Sequence, residues 1–201
     1  MIKAIIFDLG NVLIHFDAVR AARSFAQEAH VPVEKVWRHF FTSKVEKAYT
    51  RGEITTREFF RHAQRAFHTQ VSFRKFEKLW NDIFWENEGV RPILKSLSRR
   101  YPLYVISNTN ALHFNYVRRR FPGIFRCFKR TFPSHRMGHR KPDPKIFWKV
   151  LKTTKLRPEE VVFIDDMPAF VESARRLGMN AVQFRSNARL KKELRGFKVR
   201  I

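Results

Sequence analysis

The chain has 201 residues, 44% of them hydrophobic, with one cysteine and a formal net charge of +23. That length holds one sizeable domain, or a domain with a modest insert, and the apolar content is ample for a core. No run approaches the roughly 18 apolar residues of a membrane span. The lone Cys127 excludes a disulfide within the chain and makes a reducing cytoplasm the expected compartment.

The N-terminus runs directly into a first strand, residues 3 to 8, and Asp8 interrupts what would otherwise serve as a signal-peptide core. Four of the five residues before Asp8 are apolar, as expected of a strand buried on both faces. A carboxylate at its end sits where open α/β sheets bind ligands. The interior from about 17 to 88 shows helical periodicity and few strand signals. Phe25, Val36, Trp37, Phe40, Phe41, Phe59, Phe60, Phe67, Phe76, Leu79, Trp80 and Phe84 recur there at helix-like spacings, as a core or as the lining for an apolar part of a substrate. Asp17 reads as a helix N-cap, and Arg51-Gly52-Glu53 as a turn between helices. Further strands are predicted near 103 to 107, 128 to 132, 161 to 165 and 181 to 184, alternating with helices, which implies a parallel sheet.

Three later segments share the design around Asp8: an apolar run or turn ending in polar residues suited to a phosphate or a metal. Ser107 offers a hydroxyl and Asn108 an amide for phosphoryl oxygens, and the turn into the next helix adds backbone N–H donors. Lys141 can neutralise a phosphoryl group and an attacking carboxylate together. Asp165 and Asp166 form a carboxylate pair that repels itself unless a cation joins it, and both also suit a helix start. Oxygen ligands from Asp8 and Asp166, a backbone carbonyl and waters suit a hard cation such as Mg²⁺.

Taken in order, Phe7-Asp8-Leu9-Gly10-Asn11-Val12, Ser107-Asn108-Thr109-Asn110, Gly138-His139-Arg140-Lys141-Pro142 and Asp165-Asp166 resemble the four motifs of the haloacid dehalogenase-like hydrolase superfamily. The closest likeness is to its sugar-phosphate phosphatase branch, which includes bacterial α-glucose-1-phosphate phosphatase. The resemblance spans nearly the whole chain. It implies a Rossmann-like, doubly wound parallel α/β core from residues 1 to 16 and 89 to 201, with an inserted α-helical cap at 17 to 88. It further implies Mg²⁺-dependent hydrolysis of a small phosphorylated metabolite through an aspartyl-phosphate on Asp8. In that scheme Lys141 offsets charge, and Ser107 and Asn108 hold the phosphoryl group. Asp166 and the carbonyl of Gly10 join Asp8 around the metal, with Asp165 acting through water or behind the ligands.

One departure matters. Many of these phosphatases carry a second aspartate two residues after the nucleophile as acid and base, and here that position is Gly10. Losing such a group typically forfeits about 10² to 10⁴ in rate. A less basic leaving group, an anomeric sugar phosphate above all, is therefore expected. His15 is a candidate replacement donor, with an exposed loop histidine as the plain alternative. Arg140 suits either substrate phosphate or a loop-holding pair with Asp143 or Asp165. Asn11 is expected to fix its turn through local bonding. Lys47, Tyr49 and Arg51 are candidates for reading the rest of the substrate. A 2-haloacid dehalogenase also lacks the second aspartate but needs no metal, which leaves Asp165 and Asp166 unexplained.

The charge is uneven: residues 17 to 90 carry a net +3 and the remainder +20. Arg118-Arg119-Arg120, Arg126, Lys129, Arg130 and the tail from Arg189 to Arg200 supply much of the excess. A general bias toward basic residues accounts for this without a function. The alternative is a catalytically weak scaffold that binds nucleic acid or acidic partners, since such a surface attracts polyanions at low salt. No known nucleic-acid-binding motif accompanies it.

Overall fold

The computed structural model describes residues 1–201. Five parallel strands form the central sheet: β1 (Ala4–Phe7), β4 (Leu103–Ser107), β5 (Arg130–Pro133), β6 (Val161–Asp165) and β7 (Asn180–Gln183), in the order β5-β4-β1-β6-β7. The strands carry long runs of β-branched and aromatic residues because both faces are buried. In β1, Ile5 and Phe7 face one apolar cluster while Ala4 and Ile6 face another, the two-residue alternation of a strand read on two covered faces. The helices α6 (Val90–Ser98), α7 (Ala111–Arg120) and α12 (Asn187–Gly196) pack on the first face, with the short α8 (Pro122–Phe125) beside them. On the second face lie α10 (Pro144–Thr154) and α11 (Pro168–Arg176). No helix is long and apolar enough to cross a membrane.

Two short strands fall outside the expected set. β2 (Ile14–Phe16) and β3 (Phe84–Glu86) pair antiparallel, with His15 opposite Trp85. Between them run α1 (Ala18–Ala29), α2 (Val33–Trp37) continuing through a π-turn at Arg38–Thr42, α3 (Lys44–Arg51), α4 (Thr56–Phe67) and α5 (Phe73–Asn81). Asp17 caps α1, accepting the Arg20 N–H at 2.9 Å. Phe25, Phe40, Phe59, Phe67, Phe76 and Trp80 are buried together in a cluster of their own, whereas Trp37 is 37% exposed. Phe40 alone has six aromatic rings within 6.0 Å, Phe25, His39, Phe59, Phe67, Phe76 and Trp80, so this unit is held largely by ring packing.

Two of the places where the helical segment meets the sheet domain turn on single residues. Asn87 donates to the Val12 carbonyl at 2.6 Å and accepts from Asn187 at 3.0 Å, which ties the base of the β2–β3 ribbon to α12. At the other, α3 ends on Gly52 with φ +75°, where a Cβ would lie 2.0 Å from the carbonyl oxygen of His135 in α9 (Ser134–Met137). Here the turn requires glycine twice over, for its left-handed backbone and for the close approach. Gly52→Ala is expected to destabilise the fold by more than about 2 kcal/mol. Urea unfolding measures it, and a loss under about 0.5 kcal/mol would show that this seam is loose.

Candidate active site

The carboxyl ends of β1, β4 and β6 lie side by side because the strands are parallel and in register, Phe7 beside both Val105 and Ile164. The next residue on each strand path therefore reaches one rim: Asp8 after β1, Ser107 ending β4, and Asp165 ending β6. Chain order reverses on either side of β1, so this rim is the switch point at which such sheets bind ligands. Lys141 arrives from the loop before α10. Asn108 fixes it there by accepting the Lys141 N–H at 2.7 Å and donating to its carbonyl at 2.8 Å. The Asn108 side chain is thus held at both ends by the Lys141 peptide, which leaves its second Nδ2 hydrogen and its backbone for a phosphoryl group.

The Lys141 ammonium is fully buried and lies 2.8 Å from Asp8 Oδ1, with Asp165 Oδ2 as its second partner. The rings of Phe163 and Phe170 flank it at 5.5 and 5.1 Å. Burial pulls the ammonium toward neutrality, but Asp8 and Asp165 together outweigh it and hold its pKa above the usual lysine value. Burial pushes the Asp8 carboxyl up to about 7, with Asp165 adding to the rise and Lys141 and the Leu9 N–H opposing it. Asp166 is also raised, by burial and then by Asp165, against a hydrogen bond from Asn11 Nδ2 at 3.3 Å. Asp165 donates nothing further to the rim: its Oδ2 serves Lys141 and its Oδ1 accepts the Met167 N–H at 2.9 Å.

Carboxylate oxygens of Asp8, Asp165 and Asp166 lie within 4.8 Å of one another. Three carboxylates against one ammonium leave two negative charges in a largely buried site, the deficit a divalent cation fills. With both Asp165 oxygens engaged, Asp8 and Asp166 are the carboxylates left that could hold Mg²⁺.

A cavity of about 320 Å³ opens over this rim, reaching Asp8, Gly10, Asn11, Ser107, Asn108 and Asp166 on the sheet side. Its opposite wall is aromatic, with Phe40, Phe41, Phe59 and Trp80 from the helical segment. The rings expected as core thus also line the cavity. Several candidates are placed otherwise than expected. In β2, Ile14 and Phe16 face the cavity, so His15 turns to the other side of the ribbon, 5.9 Å from the Trp85 ring. It offers the site no proton. Lys47 and Arg51 are exposed and do not line the cavity, Arg51 lying 3.7 Å from Glu53. Arg140 does line it, yet its partners are Glu46 at 2.9 Å and Thr50 at 2.9 Å rather than Asp143 or Asp165. Asn11, at φ 54°, holds its turn through its backbone N–H, 2.8 Å from the Ile14 carbonyl, while its side chain bonds Asp166 across the site.

Sequence reasoning missed Phe16, Glu46, Thr50 and His113. A Cβ on Gly10 would lie 2.9 Å from Phe16 Cε1, so any side chain there crowds the ring. His113 is half-buried, with Nε2 3.0 Å from the Trp80 carbonyl and Nδ1 3.2 Å from Asn110 Nδ2. Burial drives its pKa down to about 4, so it is neutral, and both ring nitrogens are engaged. Ser134 joins the two halves of the molecule, its Oγ lying 2.6 Å from the Thr50 carbonyl and 2.9 Å from that of Thr109. These contacts span up to 84 positions and leave no local pattern in the sequence.

A doubly wound parallel sheet with clustered carboxylates and a buried lysine at its switch point defines an α/β enzyme fold with a phosphate- or halide-handling rim. The haloacid dehalogenase-like hydrolase family model matches residues 2–178, and the chain belongs to that family. Its relatives include a D-ribitol-5-phosphate phosphatase of Bacteroides thetaiotaomicron, 24% identical over 96% of this chain and 97% of that protein. A solved family enzyme from the same organism, in complex with magnesium and inorganic phosphate, superposes with a TM-score of 0.85 at 27% identity over 93% of this chain and 96% of that one. A predicted hydrolase of the family from Porphyromonas gingivalis gives 0.86 at 25% identity, over 97% and 98%. The chain also matches part of a longer protein, the drimenol cyclase drtB of Aspergillus calidoustus, at 30% identity over 36% of its length.

The raised Asp8 carboxyl has a thermodynamic consequence in metal-free protein. Its pKa is about 7 when folded against 3.8 when exposed, so its contribution to stability is complete below pH 3.8 and is lost as pH rises through 7. Asp8→Asn, which cannot ionise, is expected to gain several degrees of melting temperature relative to wild type between pH 5 and pH 8 in the presence of a chelator. A difference that stays constant across that range in parallel thermal melts would contradict the assignment.

Proposed function

We propose that the protein is a Mg²⁺-dependent phosphatase that cleaves a small sugar or polyol phosphate through an aspartyl-phosphate on Asp8. The observation that carries this reading is the buried Lys141 held between Asp8 and Asp165 beside a further carboxylate, Asp166, at the sheet's switch point. Lys141 holds Asp8 in place and offsets charge on the incoming phosphoryl oxygens. The Asp8 carboxylate attacks phosphorus in line while the bond to the leaving oxygen breaks, and that oxygen takes up a proton. Water then attacks phosphorus, breaks the acyl-phosphate bond and releases inorganic phosphate with Asp8 restored. The Ser107 hydroxyl and backbone N–H groups beyond β4 bind the phosphoryl oxygens. Asp8, Asp166 and the Gly10 carbonyl would hold Mg²⁺, which when bound supplies charge stabilisation for the transferring group.

Two observations bear on the substrate. The D-ribitol-5-phosphate phosphatase relative supports a polyol or sugar phosphate. The Phe16 ring against Gly10 leaves no acid beside Asp8, which favours a leaving group that departs without strong protonation, such as a sugar 1-phosphate. The aromatic wall fits the apolar faces of a sugar, and the few polar groups at the Arg140–Glu46 edge suit hydroxyls. A 2-haloacid dehalogenase is the weaker reading, because without a metal the Asp166 carboxylate would face the nucleophile uncompensated.

The test is phosphate release from sugar 1-phosphates, alditol 5-phosphates, sugar 6-phosphates and acyl phosphates. Release is expected to depend on Mg²⁺, to vanish in Asp8→Asn and with chelator, and to be fastest with 1-phosphates. Release from none of them at high enzyme concentration would sink the reading. Better turnover of the alditol and 6-phosphates would sink the 1-phosphate preference alone. Gly10→Asp by itself is expected to give no gain, whereas Gly10→Asp with Phe16→Ser raises turnover of alkyl phosphates by about 10². Steady-state kinetics on a 6-phosphate distinguish the two variants, and an equal gain in both would mean that Phe16 does not occupy the acid's place.

A further inference from the structure

A second groove, of about 610 Å³, runs along the outer side of β5, the edge strand of the sheet, and shares no lining residue with the cavity over Asp8. Five cations face it: Arg118 from α7, Arg126 after α8, Lys129 and Arg130 at the start of β5, and Arg136 from α9. All five are exposed, no acidic side chain lines the groove, and none of the five makes an ion pair. Elsewhere some exposed arginines find carboxylates, as in Arg20–Asp82, Arg176–Glu172 and Arg189–Glu193, and others such as Arg61 and Arg99 stand singly, so what sets the groove apart is the gathering of five cations in one place. Charged residues commonly guard an edge strand against pairing. Lys129 and Arg130 suffice for that, and it gives no reason for cations from three helical segments to converge on the same groove. Five like charges gathered without a counterion repel one another, a cost that a bound anion relieves. Half-buried rings of Phe125 and Phe128 lie between them in the groove wall.

From this juxtaposition of unpaired cations with aromatic faces we infer that the groove binds single-stranded nucleic acid, the cations tracking phosphates and the rings offering faces to bases. An acidic peptide would use the charges but has no need of the rings. The site is independent of the catalytic reading, since it stands or falls on residues remote from Asp8.

Fluorescence anisotropy of a labelled twelve-nucleotide oligothymidylate, titrated with full-length protein from about 50 to 200 mM salt, tests the inference. With five phosphate contacts, log K is expected to fall against log salt with a slope of about −3.5. Arg126→Gln with Arg130→Gln is expected to weaken binding at least tenfold and to flatten the slope by about 1.4. Lys191→Gln with Lys192→Gln on α12 removes the same charge and is expected to change affinity less than twofold. Unchanged thermal melting in both pairs shows that the fold is intact. Absence of binding at 50 mM salt, or equal weakening by the two pairs, would overturn the groove. Competition by polyglutamate as effective as by unlabelled oligonucleotide would overturn the nucleic-acid assignment in favour of an acidic protein.

Discussion

Everything at the rim of the sheet depends on one buried ammonium. Taking a lysine fully out of water costs several kcal/mol unless carboxylates and hydrogen bonds replace the solvent, and Lys141 has Asp8 and Asp165 for that purpose. The dependence is mutual. Without Lys141, two carboxylates would face each other in a poorly hydrated pocket, and one would take up a proton and cease to be a nucleophile. Three parts of the chain must therefore meet: the ends of β1 and β6 and the loop before α10. A parallel sheet brings the first two together by its register. The third is brought in by Asn108, whose amide grips the Lys141 peptide from the end of β4. Four sequence segments spread from residue 8 to residue 165 are thus one electrostatic unit.

The same arithmetic explains what the site can admit. One ammonium does not balance three carboxylates, so the site fits a divalent cation, and with one bound a phosphoryl dianion would meet positive charge rather than repulsion. The aromatic wall opposite amplifies this, because charges interact more strongly where water is thin. Arg140, the other cation at the cavity, is spoken for by Glu46 and Thr50. It joins the helical segment to the sheet domain, and adds little net charge to the cavity.

Much of this was legible in the sequence, since it is written in local pattern. Apolar runs closing on Asp8, Ser107 and Asp165 mark the strands and their chemistry, and the +20 carried by the sheet domain points to the cations of the β5 groove. What escaped was set by contacts across the chain. Three-residue strands such as β2 and β3 are too short to show alternation, so their pairing is visible only in space, and with it the facing of His15. Lys47 and Arg51 share a helix with Glu46 and Thr50, and a shift of one position around a helix decides which side chains see the cavity. Asn108 was read as a phosphate ligand because an amide at a strand end suits that role equally well. Its distance of 33 positions from Lys141 hid the other use.

The β2–β3 ribbon also explains the glycine two residues after Asp8. Its first strand returns Phe16 over that turn and turns His15 away, so one backbone path both sets a ring against Gly10 and removes the nearest substitute. A carboxylate at position 10 requires the Phe16 ring to give way, because a Cβ there would lie 2.9 Å from its Cε1. The residue and its neighbour therefore form a single feature, an apolar stop beside the nucleophile. Among the ionisable groups that line the cavity, His113 is neutral with both nitrogens engaged, and Glu46 is tied to Arg140. Proton delivery to a departing oxygen has no resident donor at the stop itself. A fold arranged in this way is suited to substrates whose leaving oxygen tolerates negative charge.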